Sequence, residues 1–254
     1  MKFRHLSSRL LPPALAWRLD RARREREEMA KFRELYDHFL QPGDLCFDIG
    51  ANLGNRTRCF REMDCRVVAV EPQADCQKRL HAQFADDPDV TLVQAVCAAT
   101  PGRATLKISP DHVLSTICDE FIESTQASGR FAASSWTREV DVEATTLDGL
   151  IDRFGMPAFV KIDVEGAEPQ VLAGLSHPVP ALSIEWTPEL SHNTLACIER
   201  IEQLGGYEYD VSWAETMRMS SRGWRAADAM RRLIDEFAGE TFLFGDIYAR
   251  RLQR

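Results

Sequence analysis

Asp48, Gly50, Asn52 and Gly54 sit within one short stretch, CFDIGANLG, where an apolar run of strand character breaks into a turn. Glycine tolerates positive φ and lets backbone approach a ligand closely, while a helix that starts after it offers free N–H groups. The acid narrows the chemistry. A carboxylate at this place repels phosphate but accepts hydrogen bonds from a cationic ammonium. A dinucleotide site would carry G-x-G-x-x-G with the pyrophosphate on the helix N-terminus, and D-I-G-A-N-L-G lacks the paired glycines. Read alone, Asp48 also fits a helix N-cap.

A second apolar run, RVVAVE, ends at Glu71, about twenty residues beyond the glycine turn. A carboxylate there suits two hydrogen bonds from ribose hydroxyls, and before Pro72 it also fits a solvent-facing strand end. Together the two motifs favour a nucleoside-bearing, cationic cofactor, S-adenosyl-L-methionine, over a nicotinamide.

Asp163 and Glu165, in KIDVEGAE, follow another apolar run. Residues two apart share a face of a strand, so both carboxylates could face one cleft unless Gly166 turns the second away. Methyl transfer from such a cofactor needs an aligned acceptor and, where the acceptor is an alcohol, a group to take its proton. A close acid pair raises one pKa toward that task, whereas Lys161 could pair with Asp163 and oppose it. The bland alternative is that both acids organise a turn and cap the next helix. Two acids do not complete a divalent-cation site, so no metal is expected. His112, in SPDHVLSTI, and His192, after EWTPELS, are further candidates for the base.

The elements that would position these residues alternate. Strands are expected at 45–49, 66–71, 90–96, 158–164 and 181–186, with helices near 53–63, 73–85, 146–154 and 167–174. A helix near 190–204, a strand in GYEYDVSW, a helix near 225–237 and a last strand in TFLFGDIYARR follow. This order implies an α/β fold, a doubly wound and mostly parallel sheet. RATLKIS and REVDVEATTL interrupt it as extra strands. Between them, residues 110–138 read as a long polar loop, which in a compact domain is usually a functional lid. Ahead of the sheet, Pro13 to Leu40 has no internal proline or glycine, and places Leu15, Leu19, Met29, Phe32, Leu35, Tyr36 and Leu40 at helical spacing.

In order and spacing, FDIGANLG, VVAVEP, VKIDVEGAE and the terminal DIYA resemble the FkbM family of class I SAM-dependent methyltransferases. The resemblance covers roughly residues 43–250. It implies a seven-stranded sheet with the last strand antiparallel, a methyltransferase domain over 43–254 and a separate helical extension over 1–42. It also implies that the cofactor lies across Asp48 to Gly54 with Glu71 on its ribose and Gln94 and Ala95 beside the adenine. Ser115 and Thr116 fall where the family carries a small-hydroxyl pair, so they and Glu185, at the end of SIEW, are candidates for acceptor binding. Trp186 either stacks on a sugar or fills the core. The usual family acceptor is a hydroxyl on a sugar, glycolipid or secondary metabolite. N-methyltransferases of planar nitrogens often carry N/D-P-P-[FY] after the fourth strand, where this chain has DVEG. A non-catalytic binding module would be free to lose the intact glycine turn.

A net charge of −8 argues against holding nucleic acid by its phosphates. RARREREE could meet an anionic membrane surface, making residues 1–40 a peripheral contact, although alternating charge usually marks a solvated helix face. The seven cysteines form no CxxC, and in apolar runs they read as small hydrophobes. No stretch reaches the ~20 apolar residues of a membrane span. These features set the expectation of a cytoplasmic protein with reduced thiols, compatible with a homo-oligomer whose stoichiometry carries no sequence signal.

Overall fold

The computed structural model describes residues 13–220, 222–240 and 243–252. The chain runs α1 (Pro13–Tyr36), β1 (Leu45–Ile49), α2 (Asn55–Glu62), β2 (Arg66–Val70), α3 (Ala74–Phe84) and β3 (Val90–Val93). The middle holds β4 (Val96–Cys97), β5 (Gly102–Ile108), α4 (Asp119–Ser128), β6 (Arg138–Thr145) and α5 (Leu147–Phe154). Then come β7 (Phe159–Ile162), α6 (Glu168–Ala173), β8 (Ala181–Trp186), α7 (Ser191–Leu204), β9 (Tyr207–Trp213), α8 (Ala227–Glu236) and β10 (Gly245–Arg251).

Seven strands form one sheet in the order β3-β2-β1-β7-β8-β10-β9, with β10 antiparallel to both its neighbours and the other pairings parallel. Every residue of β1 and β7 is buried. That burial explains why these runs are continuously apolar: helices cover both faces of a parallel sheet. The chain builds outward from β1 to β3, then returns to β7 on the other side of β1. Connections therefore diverge at the carboxyl ends of β1 and β7, the usual place for a ligand.

Three expectations change. The run 90–96 splits, because β3 stops at Val93 and β4 joins β5 and β6 in a separate three-stranded sheet. The buried Gln77 amide donates to the carbonyls of Glu71 and Val93, closing the ends of β2 and β3 together. The run 158–164 ends as a strand at Ile162, because Glu165 and Gly166 take φ of 56° and 89° and reverse the chain. The 110–138 segment is not structureless. Phe121 of α4 and Cys118 just before it pack with Leu114, Ala167 and Leu190, and Trp136 Nε1 donates to the Leu114 carbonyl at 2.6 Å.

Residues Pro13 to Tyr36 form one helix. Its later turns bury Met29, Phe32, Leu35 and Tyr36 in an apolar cluster shared with Phe60, Phe159 and Tyr248. The side chains of Leu15 and Leu19, and residues 1–12, lie outside the described residues. Trp186 belongs to the core, 1% exposed and edge-on to Trp213 at 5.4 Å. All seven cysteines are buried and unpaired. Among the described residues no helix is long and apolar enough to cross a membrane.

Candidate active site

A cavity of about 680 Å³ opens over the ends of β1, β2 and β7, within the size range of cofactor sites. Of the residues expected from sequence, Gly50, Asn52, Glu71, Ala95, His112, Ser115, Thr116, Asp163 and Glu165 line it. Asp48, Gly54, Gln94, Glu185 and His192 do not.

The glycine turn is tied to β2. The N–H groups of Gly50 and Ala51 both donate to the Val70 carbonyl at 3.0 Å, and the Asn52 N–H donates to Glu71 Oε2 at 2.9 Å. Gly50, at φ 78°, has no room for a side chain: a Cβ would stand 1.9 Å from the Asp163 carbonyl oxygen. Gly54, at φ 85°, would press a Cβ to 2.8 Å from Leu80 and Phe84 of α3. Both glycines thus answer first to packing within the protein, and Gly50 is the one that also faces the cavity.

Asp48 is wholly buried beneath this turn, where its Oδ2 accepts from Thr57 Oγ1 at 2.6 Å and its Oδ1 has no hydrogen-bond partner. It organises the start of α2 from below. Thr57→Val would strip the remaining hydroxyl donor from a buried carboxylate. We expect a loss of about 2–3 kcal/mol in urea unfolding, with Thr57→Ser close to wild type.

Glu71 is 2% exposed and takes N–H donors from Asn52 and, at 2.8 Å, from Gln73. Burial raises its pKa and those two backbone donors oppose the rise. Each oxygen keeps acceptor capacity toward the cavity. Ala95, Val96 and Cys97 line the adjoining wall, whereas Gln94 points outward and its amide meets the Pro72 carbonyl at 3.4 Å.

Asp163, Glu165 and Glu185 each offer a carboxylate oxygen, and these oxygens lie within 4.8 Å of one another. Sequence presented two of these acids as a pair; β8 brings the third alongside. Lys161, 5% exposed, places its ammonium 2.9 Å from Asp163 Oδ2 and 3.4 Å from the Gly50 carbonyl. Burial works against that charge, but Asp163 and Asp48 hold the Lys161 pKa above its ordinary value. Glu165 and Glu185 are pushed well above the carboxylate range, by burial first and by neighbouring acids next.

His112 lines the cavity, and its Nδ1 is buried without a partner. Its carbonyl accepts from Gln73 Nε2 at 2.8 Å and Asn52 Nδ2 at 3.3 Å, fixing the loop over the glycine turn. His192 is exposed on α7, 3.0 Å from Glu120 and away from this cavity. Ser115 Oγ donates to Gln73 Oε1, and Thr116 Oγ1 donates to the Glu165 carbonyl, so both hydroxyls brace the loop.

Other lining residues escaped the sequence reading. Arg24, Glu27, Glu28, Lys31 and Phe32 of α1 form one wall, beside Arg56 and Met217. No motif marks them, because a helix that folds back over a sheet shows only its own periodicity.

Over residues 48–236 the chain matches the family described as the methyltransferase FkbM domain. It belongs to that family. The match makes the chain a class I methyltransferase that uses S-adenosyl-L-methionine. Comparison with curated proteins finds no match. Among solved structures, a putative O-methyltransferase from Klebsiella pneumoniae is 12% identical, with a TM-score of 0.45 and coverage of 96% of this chain and 93% of that one. A precorrin-6Y C5,15-methyltransferase from Geobacter metallireducens is also 12% identical, at TM-score 0.44 and coverage of 90% and 87%. A TehB-like methyltransferase from Corynebacterium glutamicum is 10% identical, at TM-score 0.42 and coverage of 91% and 97%. The cavity of this methyltransferase suits the cofactor chemically. Buried Glu71 supplies acceptors at one end, Asp163 supplies a carboxylate facing the cavity, and the Ala95–Cys97 wall is apolar.

Proposed function

We propose that this methyltransferase alkylates a hydroxyl of a small-molecule or glycan acceptor, such as a sugar, glycolipid or secondary metabolite. The convergence of Asp163, Glu165 and Glu185 carries the reading. In this assignment Glu71 takes the ribose hydroxyls, Gly50 and Asn52 shape the turn beside the cofactor, and Ala95 with its neighbours flanks the base. S-adenosyl-L-methionine supplies an electrophilic methyl group on a sulfonium. The remaining work falls to the chain's own groups: the acceptor oxygen must be aimed at that methyl, and its proton must leave as the new C–O bond forms.

Glu165 faces the cavity, and a carboxylate with a raised pKa is a stronger base than an ordinary one. Lys161 balances Asp163, so the acids are not equivalent: Asp163 is the paired charge and Glu165 the proton acceptor. His112, with its unpartnered Nδ1, is the second candidate for the proton, and the 110–138 segment that carries it shapes acceptor choice. The seven free cysteines accord with a reducing, cytoplasmic setting.

Calorimetry tests the cofactor half. Wild type should bind S-adenosylhomocysteine, and Glu71→Ala should weaken it at least about 100-fold, since two ribose hydroxyls lose charged acceptors. The acceptor half is tested with methyl-labelled cofactor against a panel of glycans and hydroxylated metabolites. An ether product survives mild alkali, and Glu165→Gln should slow its formation while leaving cofactor affinity within about threefold. Label recovered only on nitrogen, or only as an alkali-labile ester, would overturn the hydroxyl assignment.

A further inference from the structure

The cavity is acidic along the strand ends, where Glu71, Asp163 and Glu165 stand, and along α1 it meets two cations, Arg24 and Lys31, set among two acids, Glu27 and Glu28. Arg24, Glu27, Glu28 and Lys31 follow the i, i+3, i+4, i+7 spacing of one helix face, and all four line the cavity. Glu27 is engaged by Arg23 at 2.7 Å. Among the described residues neither Arg24 nor Lys31 has an ion-pair partner. Arg56 adds a third cation at the start of α2, its guanidinium 3.8 Å over the Phe32 ring and its Nη2 3.5 Å from Met217 Sδ. Glu28 is left as the one acid of this wall without a cationic partner among the described residues.

The wall is fixed in place. Phe32 is 2% exposed and Met29, Leu35 and Tyr36 are buried beneath it, so the helix face cannot swing away without opening an apolar cluster. It also lies outside the matched family region, which begins at residue 48.

We propose that Arg24 and Lys31, backed by Arg56, form an anion subsite on the α1 wall that takes a carboxylate or phosphate of a bound ligand. The inference rests on reading the cavity as the site of cofactor and acceptor. The anion has two sources, the amino-acid carboxylate of the cofactor or an acidic group on the acceptor. Either one spans the cavity with its negative end at α1 and its cationic or hydroxyl part at the strand ends. Such cations work as partly exposed point charges, each modest alone and additive together.

Titration calorimetry on the full chain separates the sources. S-adenosylhomocysteine is compared with 5′-methylthioadenosine, which keeps the nucleoside and thioether but lacks the amino acid. If the cofactor carboxylate is held here, Arg24→Met with Lys31→Met weakens S-adenosylhomocysteine about tenfold and leaves 5′-methylthioadenosine unchanged, and Lys31→Arg restores part of the loss. If the acceptor supplies the anion, both nucleosides bind as in wild type. Inorganic phosphate, followed by phosphorus NMR on S-adenosylhomocysteine-saturated protein, then binds wild type and not the double variant. No change in either arm overturns the subsite. Both side chains are exposed, so the variants should keep the wild-type melting temperature, which checks their fold. A wild type that binds neither nucleoside defeats the cofactor reading instead, and phosphate titration of the unliganded chain still decides the subsite.

Discussion

Gly50→Ala should destabilise the protein by about 2–5 kcal/mol and abolish cofactor binding. Two costs add. An L-residue at φ 78° pays roughly 1–2 kcal/mol, and a Cβ 1.9 Å from the Asp163 carbonyl oxygen forces backbone apart, which costs a further 1–3 kcal/mol or so. The displaced atoms belong to the β1 turn and the β7 turn together, so the repair moves both halves of the cavity floor. Gly43→Ala is the control: its φ is 91°, yet nothing stands within 4 Å of its Cβ, so only strain of about 1 kcal/mol is expected. Urea unfolding and S-adenosylhomocysteine calorimetry on both variants make the comparison. Equal losses at the two positions would mean that the contact with Asp163 is dispensable.

The cofactor-free protein should lose stability as pH rises from about 5 to 8, and Glu168→Gln should flatten that slope. Glu168 is 4% exposed, and burial, helped by Asp163 and opposed by the Val164 N–H at 3.0 Å, lifts its pKa to about 7. A carboxyl whose folded pKa exceeds its unfolded one binds its proton more tightly in the folded state. Its stabilisation is complete below the unfolded value near 4.5 and is lost as pH climbs through about 7. For Glu168 the whole span is worth about 3 kcal/mol. Glu165 and Glu185 are shifted in the same direction and steepen the loss. Glutamine keeps an acceptor for the Val164 N–H but cannot ionise, so the variant should match wild type at pH 5 and exceed it at pH 8. Urea midpoints across that range decide the matter; an unchanged slope in Glu168→Gln would show that Glu168 ionises without cost.

How much of this was legible in the sequence depended on where each signal came from. The strand–helix alternation was, because β1, β2, β7 and β8 are covered on both faces and their apolar runs have no other outlet. The Gly50 turn and Glu71 were legible as a pair, since each stands at the end of such a run. The packing that these glycines also serve was not legible: Gly54 makes room for Leu80 and Phe84, a contact between residues far apart in the chain. Glu185 and the α1 wall could be only half seen or not seen at all, because adjacency between β8 and β7, or between a leading helix and a cavity, is a product of topology. The 110–138 segment looked structureless for a related reason. Its anchors, Phe121 under Gly166 and Arg130 on Glu189 at 2.8 Å, lie on partners that sequence spacing does not reveal.

The position of β10 has a consequence for the order of assembly. Among the described residues it is the last strand, yet it lies between β8 and β9, and there β9 meets the sheet through it alone. During synthesis the first six strands of the sheet can be made with a gap where the seventh belongs, and β9 waits with an unsatisfied edge until Gly245–Arg251 emerges. The sheet therefore closes by insertion of a strand made later than both its neighbours, and a chain trimmed to the family boundary at residue 236 would lack the strand that closes it.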